Sequence, residues 1–492
     1  MFRLIVAFAF VNLLAMETVS AQRGQWLYEG PPVFHGAKAI GNYPNTEFVF
    51  TVPATGQRPI SFSAQGLPQG LSIDAATGII RGVTKEAGEY KVTVTAANAI
   101  GKATEEIKIK VGDKLCLTPA MGWNSWNVFT KNIDEKMLME MADAMVSNGM
   151  RDVGYQYINI DDFWHADSRD KDGNPVADAK KFPHGIKYVA DYIHSKGLKL
   201  GIYSCAGNMT CGRRFGGYSY EDIDAKAYAA WGVDLLKYDY CYAPASRKAA
   251  IARYTAMGNA LKKSGRSIVF SICEWGLRKP WLWAEQAGGN YWRTTPDIMD
   301  AWSFPSVFVY SMKSILNREE KLWKYAGPGH FNDPDMLTVG NYGKGNATSG
   351  GGLYKGMTDT EYETHFSLWC MFAAPLLSSC DLRSMNDVTY NILTNAEILG
   401  INQDELGEQA RPVYKLDGVR VYVKHLADGS VAVAIFNASK KQRKFTLKPA
   451  MVDADASFHV RDVWEHADKG VLKDLPALPL KAHGTVVLKL SR

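Results

Sequence analysis

The apolar positions along this chain change their period twice. From about 24 to 112 they alternate with polar residues over short runs, at 47–52, 60–64, 90–95 and 105–111, the pattern of half-buried strands. Turn-forming stretches at 66–74 and 76–80 separate these runs, and together they predict an all-β sandwich of about seven strands. From 113 to 408 a helical period takes over. Asp134 opens a helix in which Leu138, Met141, Ala142 and Met145 share one face, and Ile186, Val189, Ala190 and Ile193 repeat that spacing. Gly149, Gly197, Gly232 and Gly265 each close a helix and precede an apolar run, at 155–160, 198–203, 233–238 and 267–272. A glycine in the left-handed conformation suits a helix C-cap, and a continuous apolar run suits a parallel strand buried on both faces. This succession of helix–Gly–strand units predicts a (β/α)₈ barrel. A doubly wound open sheet is the alternative, although no Gly-x-Gly-x-x-Gly loop follows any strand. After Gly407 the helical period ends, and 419–423, 431–436, 445–447 and 485–490 predict a closing antiparallel β domain. The expected division is thus a leader at 1–21, a sandwich at 22–112, a barrel at 113–408 and a β domain at 409–492.

Polar groups recur where the expected barrel strands end. The run Leu235-Leu236-Lys237-Tyr238-Asp239 carries a charged carboxylate out of an apolar strand. Burying an ionised Asp is costly unless it is paired or hydrogen-bonded, and the C-terminal ends of barrel strands form the catalytic face. Asp161, Asp162, Tyr203, Glu274, Arg293, Asp297, Asp333 and Asp335 fall at comparable places, with Trp123 and Trp126 near the first strand. Any one of these could be a cap or a structural ion pair. Fold stability, however, does not require acids repeatedly on one face.

Composition narrows the chemistry. A formal charge of +5 on 492 residues, with no Lys/Arg cluster, argues against a nucleic-acid partner. Met1-Phe2-Arg3, an apolar run at 4–16 and Val19-Ser20-Ala21 predict a signal peptide cleaved before Gln22. That run is too short for a permanent span, so an exported protein, periplasmic or extracellular, is expected. Seven cysteines cannot all pair within one chain, and their spacing offers no structural zinc pattern. Metal chemistry is the main rival use of the acids. Ser168-x-Asp170-x-Asp172-Gly173 resembles the start of a calcium loop, but its twelfth position is Ala179, where a bidentate Glu is needed. It reads better as a turn, and no metal or other cofactor is expected.

Glycoside hydrolysis is the simplest chemistry for such a cleft. Two carboxyl groups about 5–5.5 Å apart permit double displacement with retention, one attacking the anomeric carbon and the other moving protons. Lys237 near Asp239 is expected to keep that group ionised. Partial burial and a nearby carboxylate would favour a proton on the acid. The remaining acids would hold sugar hydroxyls, and a Trp face would stack on a pyranose.

These residues closely resemble the α-galactosidases of glycoside hydrolase family 27, over about 116 to 492. The likeness rests on Met-Gly-Trp-Asn-Ser-Trp at 121–126, Asn-Ile-Asp-Asp at 159–162, Lys-Gly-Leu-Lys-Leu-Gly-Ile-Tyr-Ser at 196–204 and Trp-Gly-Val-Asp-Leu-Leu-Lys-Tyr-Asp-Tyr-Cys at 231–241. It continues through Cys-Glu-Trp-Gly at 273–276, Trp-Arg-Thr-Thr-Pro-Asp-Ile at 292–298, Asn-Asp-Pro-Asp-Met at 332–336 and Ile-Asn-Gln-Asp at 401–404. The resemblance implies Asp239 as nucleophile and Asp297 as acid/base. It implies Trp126, Asp161, Asp162, Tyr203, Lys237, Glu274, Arg293 and Asp335 as galactose contacts. It also implies a disulfide between Cys211 and Cys241, whose closed loop would contribute roughly 3–4 kcal/mol. The N-terminal Leu-Pro-x-Gly-Leu-Ser-Ile-Asp signature resembles the immunoglobulin- or cadherin-like modules of exported bacterial enzymes, which often serve as spacers.

The chain departs from the family pattern at Phe163 and Lys131, where many members carry a second disulfide, and at Gly289, opposite Cys273. Cys205 stands where plant-like members carry an Asp. Glu274 and Leu277 match the segment that selects galactose over N-acetylgalactosamine. The expected function is a retaining exo-α-galactosidase acting on an α-galactoside-containing glycan. The alternatives are a β-L-arabinopyranosidase, which would lack the contact to a C6 hydroxymethyl, and a non-catalytic glycan-binding protein. The glycine-rich stretch 340–356 could shape a leaving-group subsite or be a surface loop. Oligomeric state is not readable from the sequence.

Overall fold

The computed structural model describes residues 25–304, 309–344, 355–452 and 454–492. The expected leader at 1–21 and positions 345–354 of the glycine-rich stretch lie outside the described residues.

Eight parallel strands form the central sheet: β1 (Met121–Asn124), β2 (Tyr157–Asn159), β3 (Lys199–Cys205), β4 (Val233–Asp239), β5 (Val269–Ile272), β6 (Tyr291–Arg293), β7 (Phe331–Asp333) and β8 (Leu376–Ser378). Their spatial order is β7-β6-β5-β4-β3-β2-β1-β8. A parallel bridge between Leu337 and Ser378, with the Leu337 amide donating to the Leu377 carbonyl at 2.8 Å, joins the two ends. Closure and sequential order exclude the open doubly wound sheet and establish the barrel.

Local chemistry explains the units. Asp134 caps the helix Glu135–Ser147 by accepting from the Met137 amide at 2.8 Å. Gly232 ends the helix Glu221–Trp231 at φ 83°, its amide donating back to the Tyr228 and Ala229 carbonyls, and β4 starts at the next residue. The calcium-loop resemblance resolves as a turn. Asp170 Oδ1 accepts from the Asp172 and Asn174 amides, and Asn174 Nδ2 donates to its other oxygen.

The C-terminal β region is a six-stranded antiparallel sheet with a two-stranded partner. Its strands Val419–His425 and Val431–Asn437 are buried on both faces. Val421, Val433 and Ile435 face a separate apolar core, whereas Tyr422, Ala434 and Phe436 join the barrel core. The strands Arg411–Leu416, His459–Asp462, Ala467–Val471 and Leu478–Leu480 are additional to those expected from the sequence, and the expected 445–447 run pairs instead as Arg443–Phe445.

The N-terminal β region, with sheets of four, three and two strands, packs under the barrel. Thr51 Oγ1 donates to the Gly197 carbonyl at 2.6 Å and the Tyr43 amide donates to Ser267 Oγ at 2.9 Å, both next to strand starts. Arg266 bridges Glu47 of this region (2.7 Å) and the buried Asp234 of β4 (2.6 Å), while Lys108 pairs with Glu405 (2.7 Å). A spacer would be tethered by its linker alone; this region instead closes the barrel's N-terminal end.

Candidate active site

Alternate residues of a strand face the barrel interior, and moving up each strand changes their chemistry. At the lower level Tyr157, Leu235, Val269, Tyr291 and Phe331 form one apolar cluster with Leu115, Ala120 and Ala373. Two residues higher stand Asn159, Lys237, Ser271, Arg293 and Asp333, around a small internal cavity of about 20 Å³. Two residues higher again come Asp161, Asp239, Cys273 and Asp335. The outward residues of β4, Leu236 and Tyr238, join the helix-packed core instead. Register completes the arrangement: Tyr203 lies beside Lys237 and Cys205 beside Asp239 across β3 and β4, and Arg293 lies beside Asp333 across β6 and β7.

Asp239 is buried. Its Oδ2 accepts from the Tyr203 hydroxyl at 3.0 Å and lies 3.2 Å from Cys211 Sγ, while its Oδ1 accepts from the Tyr240 amide at 2.8 Å. Cys211 and Cys241 are joined in a disulfide against this carboxylate. Those two sulfurs and Asp239 form a cluster with metal-ligand spacing, but a disulfide leaves neither sulfur as a thiolate.

Lys237 lowers the Asp239 pKa as expected, but burial outweighs it, and the ammonium itself is paired elsewhere. Lys237 Nζ is ion-paired with Asp161 Oδ2 at 2.7 Å. Asp161 is also held by Asn124 Nδ2 at 3.0 Å, and its amide donates to Ser125 Oγ at 3.0 Å. Burial pushes the Asp239 carboxyl up to about 7; the Lys237 charge opposes this from a distance, and the Asp297 charge adds to it. Lys237 itself is held well above the ordinary lysine range, because the surrounding carboxylates, Asp161 first, outweigh its burial.

Arg293 organises the other wall. Its Nη2 lies 2.9 Å from Asp335 Oδ2 and 3.1 Å from Asp297 Oδ1, and donates to the Thr295 carbonyl at 3.1 Å. Asp335 adopts φ 90°, and its carboxylate accepts from the Ile298 and Met336 amides. Burial raises its carboxyl to about 6 against the lowering effect of Arg293. The Asp297 side chain is 52% exposed, so it is only half-buried.

Asp162 receives the Gly212 amide at 2.7 Å, which ties β2 to the loop carrying Cys211, and burial raises its carboxyl. Trp126 stacks on Phe163 with ring centroids 6.1 Å apart. Glu274 is fully buried with its carboxylate turned to its own helical-spacing neighbour. The Arg278 amide donates to it at 2.8 Å and Nη1 lies at 3.1 Å, while burial raises Glu274 to about 7. Leu277 is 61% exposed at this rim. Asn124, Ser125 and Arg278 escaped the sequence reading as site residues. The first two lie inside the Met-Gly-Trp-Asn-Ser-Trp motif, and the third follows from i,i+4 charge spacing. The site therefore has one half-exposed and several buried carboxyls, the cations Lys237, Arg278 and Arg293, and an aromatic pair. It can hold a polyhydroxylated ligand and move protons.

The chain resembles known proteins in sequence and fold. Residues 118–404 match the α-galactosidase A (melibiase) family, 417–490 match the α-galactosidase C-terminal β-sandwich domain, and 31–112 match an Ig-domain family. The α-galactosidase of Cyamopsis tetragonoloba is 45% identical over 372 residues, covering 74% of this chain and 84% of its own. α-Galactosidase A of Cellvibrio japonicus is 44% identical over 396 residues, covering 77% of this chain and 93% of its own. The crystal structure of a candidate α-galactosidase/melibiase from Bacteroides fragilis superposes with TM-score 0.91 at 48% identity, covering 94% of this chain and 99% of that one. With barrel, closing β domain and site in place, the chain belongs to the melibiase family of α-galactosidases, glycoside hydrolase family 27.

Proposed function

We propose that this α-galactosidase is an exported, retaining exo-enzyme that removes terminal α-linked galactose by double displacement. Asp239 is the nucleophile: a carboxylate oxygen attacks the anomeric carbon as the glycosidic C–O bond breaks. Asp297 gives its proton to the departing oxygen. In the second step Asp297 takes a proton from water, the water oxygen bonds to the anomeric carbon, and the Asp239 carboxylate is released.

The observation that carries this reading is the contrast between the two acids. Asp239 is buried, without a direct cationic partner among the described residues, and sensitive to the Asp297 charge. Asp297 stands half-exposed beside Arg293, where leaving group and water can reach it. Tyr203 and the disulfide orient Asp239. Asp161, Asp162, Lys237, Arg293 and Asp335 bind the sugar hydroxyls, Trp126 packs on the ring, and Glu274, held by Arg278, borders the 2-hydroxyl. Export rests on the leader read at 1–21.

The test is a set of initial rates on aryl α-galactoside, β-L-arabinopyranoside and α-N-acetylgalactosaminide, with NMR identification of the first anomer released. A dominant α-galactoside rate and initial α-galactose support the proposal. A dominant arabinopyranoside rate, or initial β-galactose, overturns the substrate or the retaining step respectively.

A further inference from the structure

Away from the barrel mouth, an open groove of about 700 Å³ runs between the helix Asp359–Met371 and the C-terminal sheets. Its size lies within the about 300–1,000 Å³ range of small-molecule sites. Trp464 lines one wall, with its indole N–H donated to Ser367 Oγ at 2.9 Å and its ring edge-on to Phe366, so the ring is fixed in place. Leu480 is another lining residue. Glu363 from the helix and Lys481 from the strand end also line the groove, with Arg443 and Lys444. Glu363 is partly buried, yet neither its carboxylate nor the Lys481 ammonium makes a hydrogen bond or ion pair with another described residue. Burial of the Glu363 carboxyl without a direct partner is costly in a purely structural surface, and only the charge of the exposed Lys481 offsets it, from a distance.

We infer that this groove is a second, non-catalytic binding site for neutral glycan, the chain that carries the galactose. An aromatic wall offers a surface to the C–H face of a sugar ring, while the Glu363 acceptor and the Lys481 donor on the groove lining match a ligand with both hydroxyl donors and acceptors. The presence of Glu363 and Glu465 among the cations disfavours a polyanion. The inference rests on the exo-galactosidase reading, because a pocket that accepts one terminal sugar leaves the remainder of a polymer to be held elsewhere.

The experiment is native affinity electrophoresis of the full chain through gels containing galactomannan, using Asp239→Ala so that the polymer is not consumed, with excess free galactose to occupy the catalytic pocket. Retention is expected to persist with galactose present, to be insensitive to salt, and to weaken about tenfold in Trp464→Ala, the scale of one packed aromatic contact. Because Trp464 also supports packing, Glu363→Gln/Lys481→Met provides an independent variant. It should weaken retention severalfold while turnover of a small aryl α-galactoside, measured with Asp239 intact, is unchanged. Retention abolished by galactose alone, retention unchanged in both variants, or salt-sensitive retention by a sulfated polymer instead would overturn the inference. Failure of the enzymatic reading would appear separately, as wild-type protein that turns over no aryl glycoside.

Discussion

Lys237 and Asp161 form a 2.7 Å ion pair inside the barrel mouth, while Asp239, two residues beyond Lys237 on the same strand, is held by a tyrosine hydroxyl and a backbone amide. The Lys237 charge is thus committed to Asp161, just beyond β2, and Asp239 receives only its long-range field. As the proposed nucleophile, Asp239 in this setting is poorly solvated and not tied up in a direct ion pair among the described residues.

Replacing Asp239 with Asn is expected to reduce turnover by several orders of magnitude, since no other described carboxylate occupies its position. The fold should survive and, above pH 7, gain thermal stability, because the substitution removes a buried charge with a raised pKa. Paired activity assays and thermal melts at pH 8 check both parts.

The pH dependence follows from the same carboxyl. As the proposed nucleophile, Asp239 must be ionised to attack, so kcat/KM for an aryl α-galactoside should fall about tenfold per pH unit below about 7. In Asp297→Asn that limb should move to lower pH, since the Asp297 charge helps to raise Asp239. The stability sign is opposite: the folded protein keeps a proton on Asp239 that the unfolded chain releases near pH 4. This contribution is full below that pH and is lost as pH rises through about 7. A limb near pH 4 in wild type would contradict the assignment.

Asp297→Ala should slow substrates with poor leaving groups far more than activated aryl galactosides, because only the former need protonation on departure. Equal losses on a disaccharide and an activated aryl substrate would reject Asp297 as the acid.

Lys237→Met removes the cation from a buried carboxylate and is expected to cost about 3–5 kcal/mol in denaturant unfolding. Adding Asp161→Asn should recover much of that loss. If the double variant is as unstable as the single one, the pair is not the source of the effect.

The N-terminal region should behave as part of the barrel. Arg266→Ala leaves the buried Asp234 with the His194 ring and the Leu200 amide as hydrogen-bond partners, and about 3 kcal/mol of stability should be lost. Glu47→Ala at the other end of the same bridge removes a group that is 47% exposed, and the change should stay within about 1 kcal/mol. Unfolding curves of the two variants distinguish a cap from a loosely tethered module.

Much of the architecture was legible along the chain because short-range rules govern it. Gly232 before β4 and Asp134 before its helix mark element ends through backbone conformation and capping, which depend on local neighbours alone. The apolar runs marked the barrel strands for the same reason. The strands 459–462 and 467–471 were less legible, since their polar, half-exposed residues pair by register rather than by pattern.

The residues of the candidate site stand out in the sequence as polar groups closing apolar strands. Their long-range partnerships do not. The i,i+4 pairs Arg293–Asp297 and Glu274–Arg278 lie within reach of local spacing, but that Lys237 turns to Asp161 and that Arg293 also reaches Asp335 depend on which side chains the closed barrel brings together. The same holds for the N-terminal sandwich, whose sequence resembles a spacer but whose Glu47, Thr51 and Lys108 find partners under the barrel. Sequence alone determined the elements and the chemical groups, through local backbone and hydrophobic preferences. Tertiary structure alone decided which charges meet, because electrostatic pairing acts through space and depends on burial rather than on distance along the chain.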